Sequence, residues 1–221
     1  MPDTLRVTPL GHSCVLVETG GARILLDPGN LTDPLAPITD LDAVLVTHAH
    51  ADHLDPDQIA RVAPGRSVPV YGDAAASALL TAAGLPAARE IPDGEFEIAG
   101  VAVRPSRLAH ETIVEGLPLP GNTGFTIADR LFAPGDSFAR PDGREVDVLL
   151  LPTGAPWMKL AEAIAYLQAV APRIVIPVHD AGLARPHREL HRELMSKFAP
   201  PGTTVLRPSV GEPVDLVAAV R

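Results

Sequence analysis

Four potential metal ligands fall within six residues at His48-Ala49-His50-Ala51-Asp52-His53, directly behind the apolar run Ala43-Val44-Leu45-Val46-Thr47. A short apolar run of this kind reads as a buried strand, so the fold must deliver a dense cluster of imidazole and carboxylate to a strand end. Packing alone does not call for that density. Imidazole suits zinc, iron or copper and carboxylate suits harder cations, so the mixture points to zinc, manganese or iron. Alternate residues of an extended segment face the same way. His48 and His50 can therefore point together at one ion, while Asp52 and His53 turn to a second.

The remaining composition bounds what surrounds such a site. With 221 residues and 46% hydrophobic content the chain is long and apolar enough for a proper core, and one domain over 1–221 is expected. Only 4% of residues are aromatic, so that core must be built from Ala, Val, Leu and Ile. A net charge of −9 argues against a broad basic surface for nucleic acid. It leaves room for a small anionic or ester substrate, because bound cations dominate the local field. The single cysteine, Cys14, allows no intrachain disulfide, fits a reducing cytoplasm and reads as a small core residue. The start Met1-Pro2-Asp3-Thr4-Leu5-Arg6 has no apolar signal core, and no apolar run approaches a bilayer span. A soluble cytoplasmic protein with no membrane partner is expected, with its oligomeric state left open.

Short strand-like runs open the chain at 5–8, 14–18 and 23–27, with Gly20-Gly21 as a hairpin signal, and 43–47 is a fourth. Asp55-Pro56-Asp57 starts a helix through Ala63, with Asp55 as N-cap and Pro56 at the first helical position. A strand at 68–71 and an alanine-rich helix at 73–83 follow. The second half is organised in the same way. It has strands at 96–98, 101–107, 124–128, 130–133 and 146–151, a helix at 160–170, a strand at 173–178, an amphipathic helix at 186–198, and strands at 205–207 and 214–217. Strands first, then helix and strand in alternation, twice over, predict an α/β fold of two mixed sheets packed face to face with helices outside. The halves share pattern rather than visible identity.

Three further ligand candidates also follow strand-like runs: His110, Asp136 and His179. Ligands on strand ends can converge at one edge of a sheet. The set then divides as His48, His50 and His110 at one ion and Asp52, His53 and His179 at the other, with Asp136 bridging. His187 and His191 have the spacing of a zinc helix, but Arg188 and Glu189 make that stretch read as a charged surface.

Thr47-His48-Ala49-His50-Ala51-Asp52-His53, His110, Gly135-Asp136-Ser137 and Pro177-Val178-His179 together resemble the metallo-β-lactamase superfamily, in order and spacing over essentially the whole chain. Gly11-His12-Ser13-Cys14-Val15-Leu16-Val17-Glu18 and Leu25-Leu26-Asp27-Pro28 resemble its branch of short metal-dependent hydrolases similar to L-ascorbate-6-phosphate lactonases. The resemblance implies a four-layer αββα sandwich, two divalent ions (zinc first, manganese or iron otherwise), and the seven residues above as their ligands. It implies Asp52 and Asp136 as the catalytic carboxylates around a metal-activated hydroxide, cutting a phosphodiester or lactone. Asp27 matches a carboxylate that supports the His-rich loop without binding metal.

His12, Asn122 and Trp157 are expected to line the substrate pocket, and the Gly/Pro-interrupted segment 111–123 to form a lid. Glu111 and Asp180 depart from the branch's pattern and bear on substrate choice. Diiron members of the superfamily carry Glu where this chain has His50, which argues against a redox diiron centre. A mononuclear iron dioxygenase using His48, His110 and Asp136 and a non-catalytic metal-binding module are the rival readings.

Overall fold

The computed structural model describes residues 4–65, 68–141 and 145–217; of the opening stretch, Met1, Pro2 and Asp3 lie outside them. In chain order the elements are β1 (Thr4–Gly11), β2 (Cys14–Thr19), β3 (Ala22–Leu26), β4 (Ala43–Leu45), α1 (Pro56–Val62), β5 (Val70–Gly72), α2 (Ala74–Ala82), β6 (Arg89–Glu90), β7 (Phe96–Ile98), β8 (Val101–Leu108) and β9 (Asn122–Ile127). They continue with β10 (Leu131–Ala133), β11 (Val148–Pro152), α3 (Leu160–Val170), β12 (Ile174–Val178), α4 (Arg185–Phe198), β13 (Thr204–Val205) and β14 (Val214–Val217).

Two seven-stranded sheets result, in the orders β14-β1-β2-β3-β4-β5-β6 and β13-β12-β11-β10-β9-β8-β7. In the first, pairing is antiparallel from β14 to β3 and parallel from β3 to β6. The second repeats this, antiparallel from β7 to β10 and parallel from β10 to β13. Each half of the chain thus builds one sheet of the same plan, and β14 alone crosses back.

Strand alternation sorts the core into layers. Ile24, Leu26, Leu45, Phe125, Ile127, Leu131, Val148 and Ile176 face inward and fuse the sheets. Leu25, Val44 and Val46 point the other way, under Val62 of α1 and Ala76 and Leu80 of α2. Phe132, Leu149, Leu151 and Val175 do the same under Ala163, Tyr166 and Leu167 of α3 and Met195 of α4. The architecture is the αββα sandwich. Because β11 and β12 are covered on both faces, their sequences are continuously apolar and buried at every position.

Local chemistry sets the turns and caps. Gly20-Gly21 and Ala99-Gly100 have positive φ at both central positions, the twist that a two-residue hairpin needs, and Ala128-Asp129 do the same in the three-residue loop between Ile127 and Leu131. Asp55 accepts from Asp57 N ahead of Pro56, and Asp73 accepts from Ala76 N to start α2.

At one edge Asp147 clamps the sheets. Its carboxylate accepts from Arg130 Nε at 2.9 Å and Arg173 Nε at 2.7 Å, and the same guanidinium groups donate to Leu216 O and Val217 O of β14. Partial burial opposes ionisation, but Arg173 and Arg130 outweigh it and hold the carboxyl below its ordinary range. A group with a depressed folded pKa contributes stability above its unfolded value, about 3.9, and loses it as pH falls through the folded one. Asp147→Asn is therefore expected to lose about 1–2 kcal/mol in urea titrations at pH 7. The gap from wild type should close as the pH falls below 4. An equal gap at all pH values would contradict the ionic account.

Candidate metal centre

At the opposite edge, each ligand candidate sits beyond the C-terminal end of a strand. His12 follows β1, Asp27 follows β3, the run from His48 to His53 follows β4, His110 follows β8, Asp136 follows β10 and His179 follows β12. Within each sheet these strands run the same way, so their ends collect at one rim. Two backbone hydrogen bonds lock the two rims together, His179 N to His12 O and Thr123 N to Thr47 O, and a third, Glu111 N to Asp136 O, ties two ligand loops of the second sheet, each 2.9 Å.

Two close approaches require glycine. A Cβ on Gly29 would lie 1.9 Å from Asp52 O, because the segment after Asp27 lies against the ligand run. Gly135 has φ +64°, and a Cβ there would lie 2.2 Å from Asn122 Oδ1. His12, Asp27 and His179 also adopt left-handed φ values of 47°, 41° and 56°. Such strain persists only where surroundings over-determine it, and here it surrounds the cluster.

The side chains form two groups, His48, His50, His110 and Asp136 in one and His12, Asp52, His53 and His179 in the other. In each group one donor atom per residue lies within 4.8 Å of all the others. Asp136 faces both groups. Its Oδ2 is 3.4 Å from His110 Nε2 and 3.9 Å from His48 Nε2, and its Oδ1 is 3.1 Å from His53 Nε2 and 3.3 Å from His179 Nε2. Asp52 Oδ2 is 3.4 Å from His179 Nε2 and 4.0 Å from His53 Nε2.

Outer partners fix which ring nitrogen points inward. His53 Nδ1 is 2.8 Å from Asp27 Oδ2, His110 Nδ1 is 2.6 Å from Glu111 O, and His179 Nδ1 is 3.2 Å from Gly154 O. Each partner can only accept, so each Nδ1 carries the proton and each Nε2 lone pair faces the centre. Those three Nε2 atoms and Asp136 Oδ1 are buried and have no hydrogen-bond partner. Orphaned buried acceptors are rare. Neutral imidazole with carboxylate oxygen is the donor set of zinc-type cations, so the residues fit divalent metal.

His12 behaves differently from the other imidazoles. Ala181 N donates to His12 Nδ1 at 3.3 Å, so the ring proton sits on Nε2, which donates to Asp52 Oδ2 at 3.1 Å. Its geometry is that of a donor orienting Asp52.

In the ion-free centre the carboxylates draw a second proton onto Nε2 of His53 and His179, and a bound cation would take that proton's place. Burial pushes His48 down to about 2. For His179, burial works against the charged ring, but Asp136 and Asp52 raise it to about 9. Burial also opposes charge on His53, and Asp136 with Asp27 lifts it well above the usual imidazole value. Asp136 and Asp52 are held far below the carboxylate range despite burial, by His53, His110 and His179 around the first and by His12 and His179 at the second. The centre therefore keeps two anionic carboxylates among its imidazoles.

Several residues take roles that sequence reasoning missed. Asn122 is buried: its Nδ2 donates to Pro134 O and its Oδ1 accepts from Asp136 N, bracing the Asp136 turn. Glu111 Oε1 accepts from Phe138 N on the same turn. Asp180 receives Arg188 at 3.1 Å and Arg192 at 3.2 Å, tying α4 to the end of β12. Trp157 is buried, and its indole Nε1 donates to Asp136 Oδ2 at 2.8 Å. His191 Nδ1 lies 2.8 Å from Thr153 O, and neither His187 nor His191 belongs to a ligand group among the described residues. The segment 111–121 leaves the rim at His110 with Val114 and Leu117 exposed. No helix of the described residues is long and apolar enough to cross a membrane.

Comparison with known proteins agrees with this geometry. The sequence model of the beta-lactamase superfamily domain matches residues 6–179. Protein Rv0786c of Mycobacterium tuberculosis is 36% identical over 193 residues, covering 85% of this chain and 89% of that protein. A UPF0173 metal-dependent hydrolase of Pyrobaculum arsenaticum is 30% identical over 190 residues, covering 76% and 81%. Igni18, a metallo hydrolase from Ignicoccus hospitalis, superposes with a TM-score of 0.69 at 21% identity, over 96% of this chain and 98% of that one, and shows the shared fold. With the superfamily domain matched over residues 6–179, most of its length, the chain belongs to the beta-lactamase superfamily.

Proposed function

We propose that this chain, acting as one domain over 1–221, is a binuclear metallo-hydrolase of an ester-type bond, a phosphodiester or a lactone, in a small cytoplasmic substrate. One observation carries the reading: Asp136 turns one carboxylate oxygen to each of two ligand groups. The name metal-dependent hydrolase borne by the Pyrobaculum relative agrees with it. Zinc fits the imidazole-rich donor set best, with manganese or iron as alternatives.

His48, His50 and His110 would hold one ion, Asp52, His53 and His179 the other, and Asp136 both. Bound there, the pair would supply an activated water near neutral pH and polarise the scissile bond. The protein's own part is orientation. Asp27 and the carbonyls of Glu111 and Gly154 fix the imidazole tautomers. Asp52, its side chain 27% exposed and held by His12, would accept a hydrogen bond from the attacking water. Leu31 follows Asn30, whose N–H donates to Ala51 O of the ligand run, and Val114 and Leu117 follow His110; all three are exposed.

The test is side-by-side hydrolysis of bis-p-nitrophenyl phosphate and a sugar-phosphate lactone by zinc- and manganese-reconstituted protein. Turnover of at least one, abolished in His50→Ala, is expected. Silence on both with two ions bound would sink the ester reading, and oxygen uptake by iron-loaded protein would favour the dioxygenase reading.

A further inference from the structure

Trp157 stands in the turn between β11 and α3, 21 residues beyond Asp136, and its indole N–H makes the shortest contact of that carboxylate. The 2.8 Å bond to Oδ2 compares with 3.1–3.9 Å to the surrounding imidazole nitrogens. An indole N–H only donates, neither ligates metal nor gives up its proton at ordinary pH, and so holds the same oxygen whether or not the imidazoles are engaged. The ring is itself held edge-on against Phe138 at 5.2 Å, and Phe138 rests on Tyr166 of α3 at 5.3 Å.

The backbone of the Asp136 turn is fixed by Asn122 and Glu111. Those bonds leave rotation of the carboxylate about Cβ–Cγ unconstrained. A bridging carboxylate must present one oxygen to each side, and sites of this kind tolerate roughly 10–20° of misalignment.

We propose that Trp157 is the positioning residue for Asp136: its N–H sets the plane of the carboxylate, turns Oδ1 toward His53 and His179, and thereby sets the affinity of the second of two ions. The inference rests on the binuclear reading. It differs from a role for Trp157 as an apolar wall, because the N–H rather than the ring face is the active feature.

The experiment is metal titration of apoprotein by chelator competition with zinc, and by the visible spectrum with cobalt(II) at one and two equivalents. Wild type is compared with Trp157→Phe, which keeps a ring against Phe138 and deletes the N–H. Phe138→Leu, which keeps the N–H and loosens the ring, is the packing control. Trp157 is the only tryptophan, so its emission also follows loading in wild type and in the control. In Trp157→Phe the first ion should bind within threefold of wild type. The second should weaken about 10–100-fold with an altered two-equivalent cobalt spectrum, as loss of an outer-shell partner does. Phe138→Leu should melt lower yet keep both ions.

Wild-type affinities and spectra in Trp157→Phe would overturn the proposal, as would equal weakening in Phe138→Leu. If wild type binds a single ion, the binuclear reading fails. The positioning role then stands if Trp157→Phe weakens that ion and falls if it does not.

Discussion

Asp136→Asn is expected to lower turnover by on the order of a thousandfold, the equivalent of about 4 kcal/mol of lost electrostatic stabilisation. It should also reduce bound metal from two equivalents toward one. The reasoning is atomic. An amide can offer its oxygen to one ligand group only, and the nitrogen then faces His53 and His179 or His48 and His110 as a donor where an acceptor is required. Folding should survive, because the turn's backbone is held by Asn122 and Glu111 rather than by the carboxylate. Steady-state rates and metal analysis on the same preparation would decide it. Full turnover with two ions bound would show that Asp136 does not bridge.

The second large effect is expected at a residue that touches no candidate metal position. Asp27 accepts from Thr47 N, Thr47 Oγ1 and His53 Nδ1, each at 2.8 Å. In Asp27→Asn the oxygen can still serve Thr47 N, and the amide NH₂ can donate to Thr47 Oγ1. The amide then opposes the N–H at His53 Nδ1. The cheapest relief is for His53 to move its proton to Nε2, which removes the inward lone pair. Metal affinity should fall about 10–100-fold with the fold intact. Imidazole ¹⁵N shifts of His53 would report the tautomer directly. An unchanged tautomer and unchanged affinity would mean that Asp27 is only a turn former. Asn also tolerates the left-handed backbone at this position, so the variant isolates hydrogen-bond polarity from strain.

Much of this fold was legible because local signals agreed with the tertiary outcome. Asp55-Pro56 marks the start of α1, the helix at Leu160–Val170 matches its apolar period, and the continuous apolar runs before Pro152 and His179 announce strands covered on both faces. The two-residue strand β6, Arg89–Glu90, carries exposed polar residues and no period, so only its parallel pairing with β5 defines it. β1 runs past the predicted Thr8 to Gly11 through a register shift that includes Pro9, which an apolar pattern does not reveal. That extension makes His12-Ser13 the tip of a hairpin and lifts His12 to the rim.

At the centre, the ligand types were readable from the run beginning at His48, since six residues of local chain hold four of them. Of what supports those ligands from outside, only Asp27 was legible, through the family resemblance, and it holds His53 Nδ1 and Thr47; the other partners are distant in sequence and carry no local signal. Trp157 reaches Asp136 from 21 residues away, Asn122 reaches it from 14, and Glu111 reaches Phe138 from 27. Asp180, which looked like a specificity position, finds Arg188 and Arg192 only because α4 folds back over the end of β12.

The most direct measurement is anomalous X-ray diffraction from crystals of zinc-reconstituted protein, with data above and below the zinc edge. The account predicts two zinc peaks per chain on either side of Asp136, one within the group of His48, His50 and His110 and one within the group of Asp52, His53 and His179. A single peak, or a second peak away from Asp136, would contradict it.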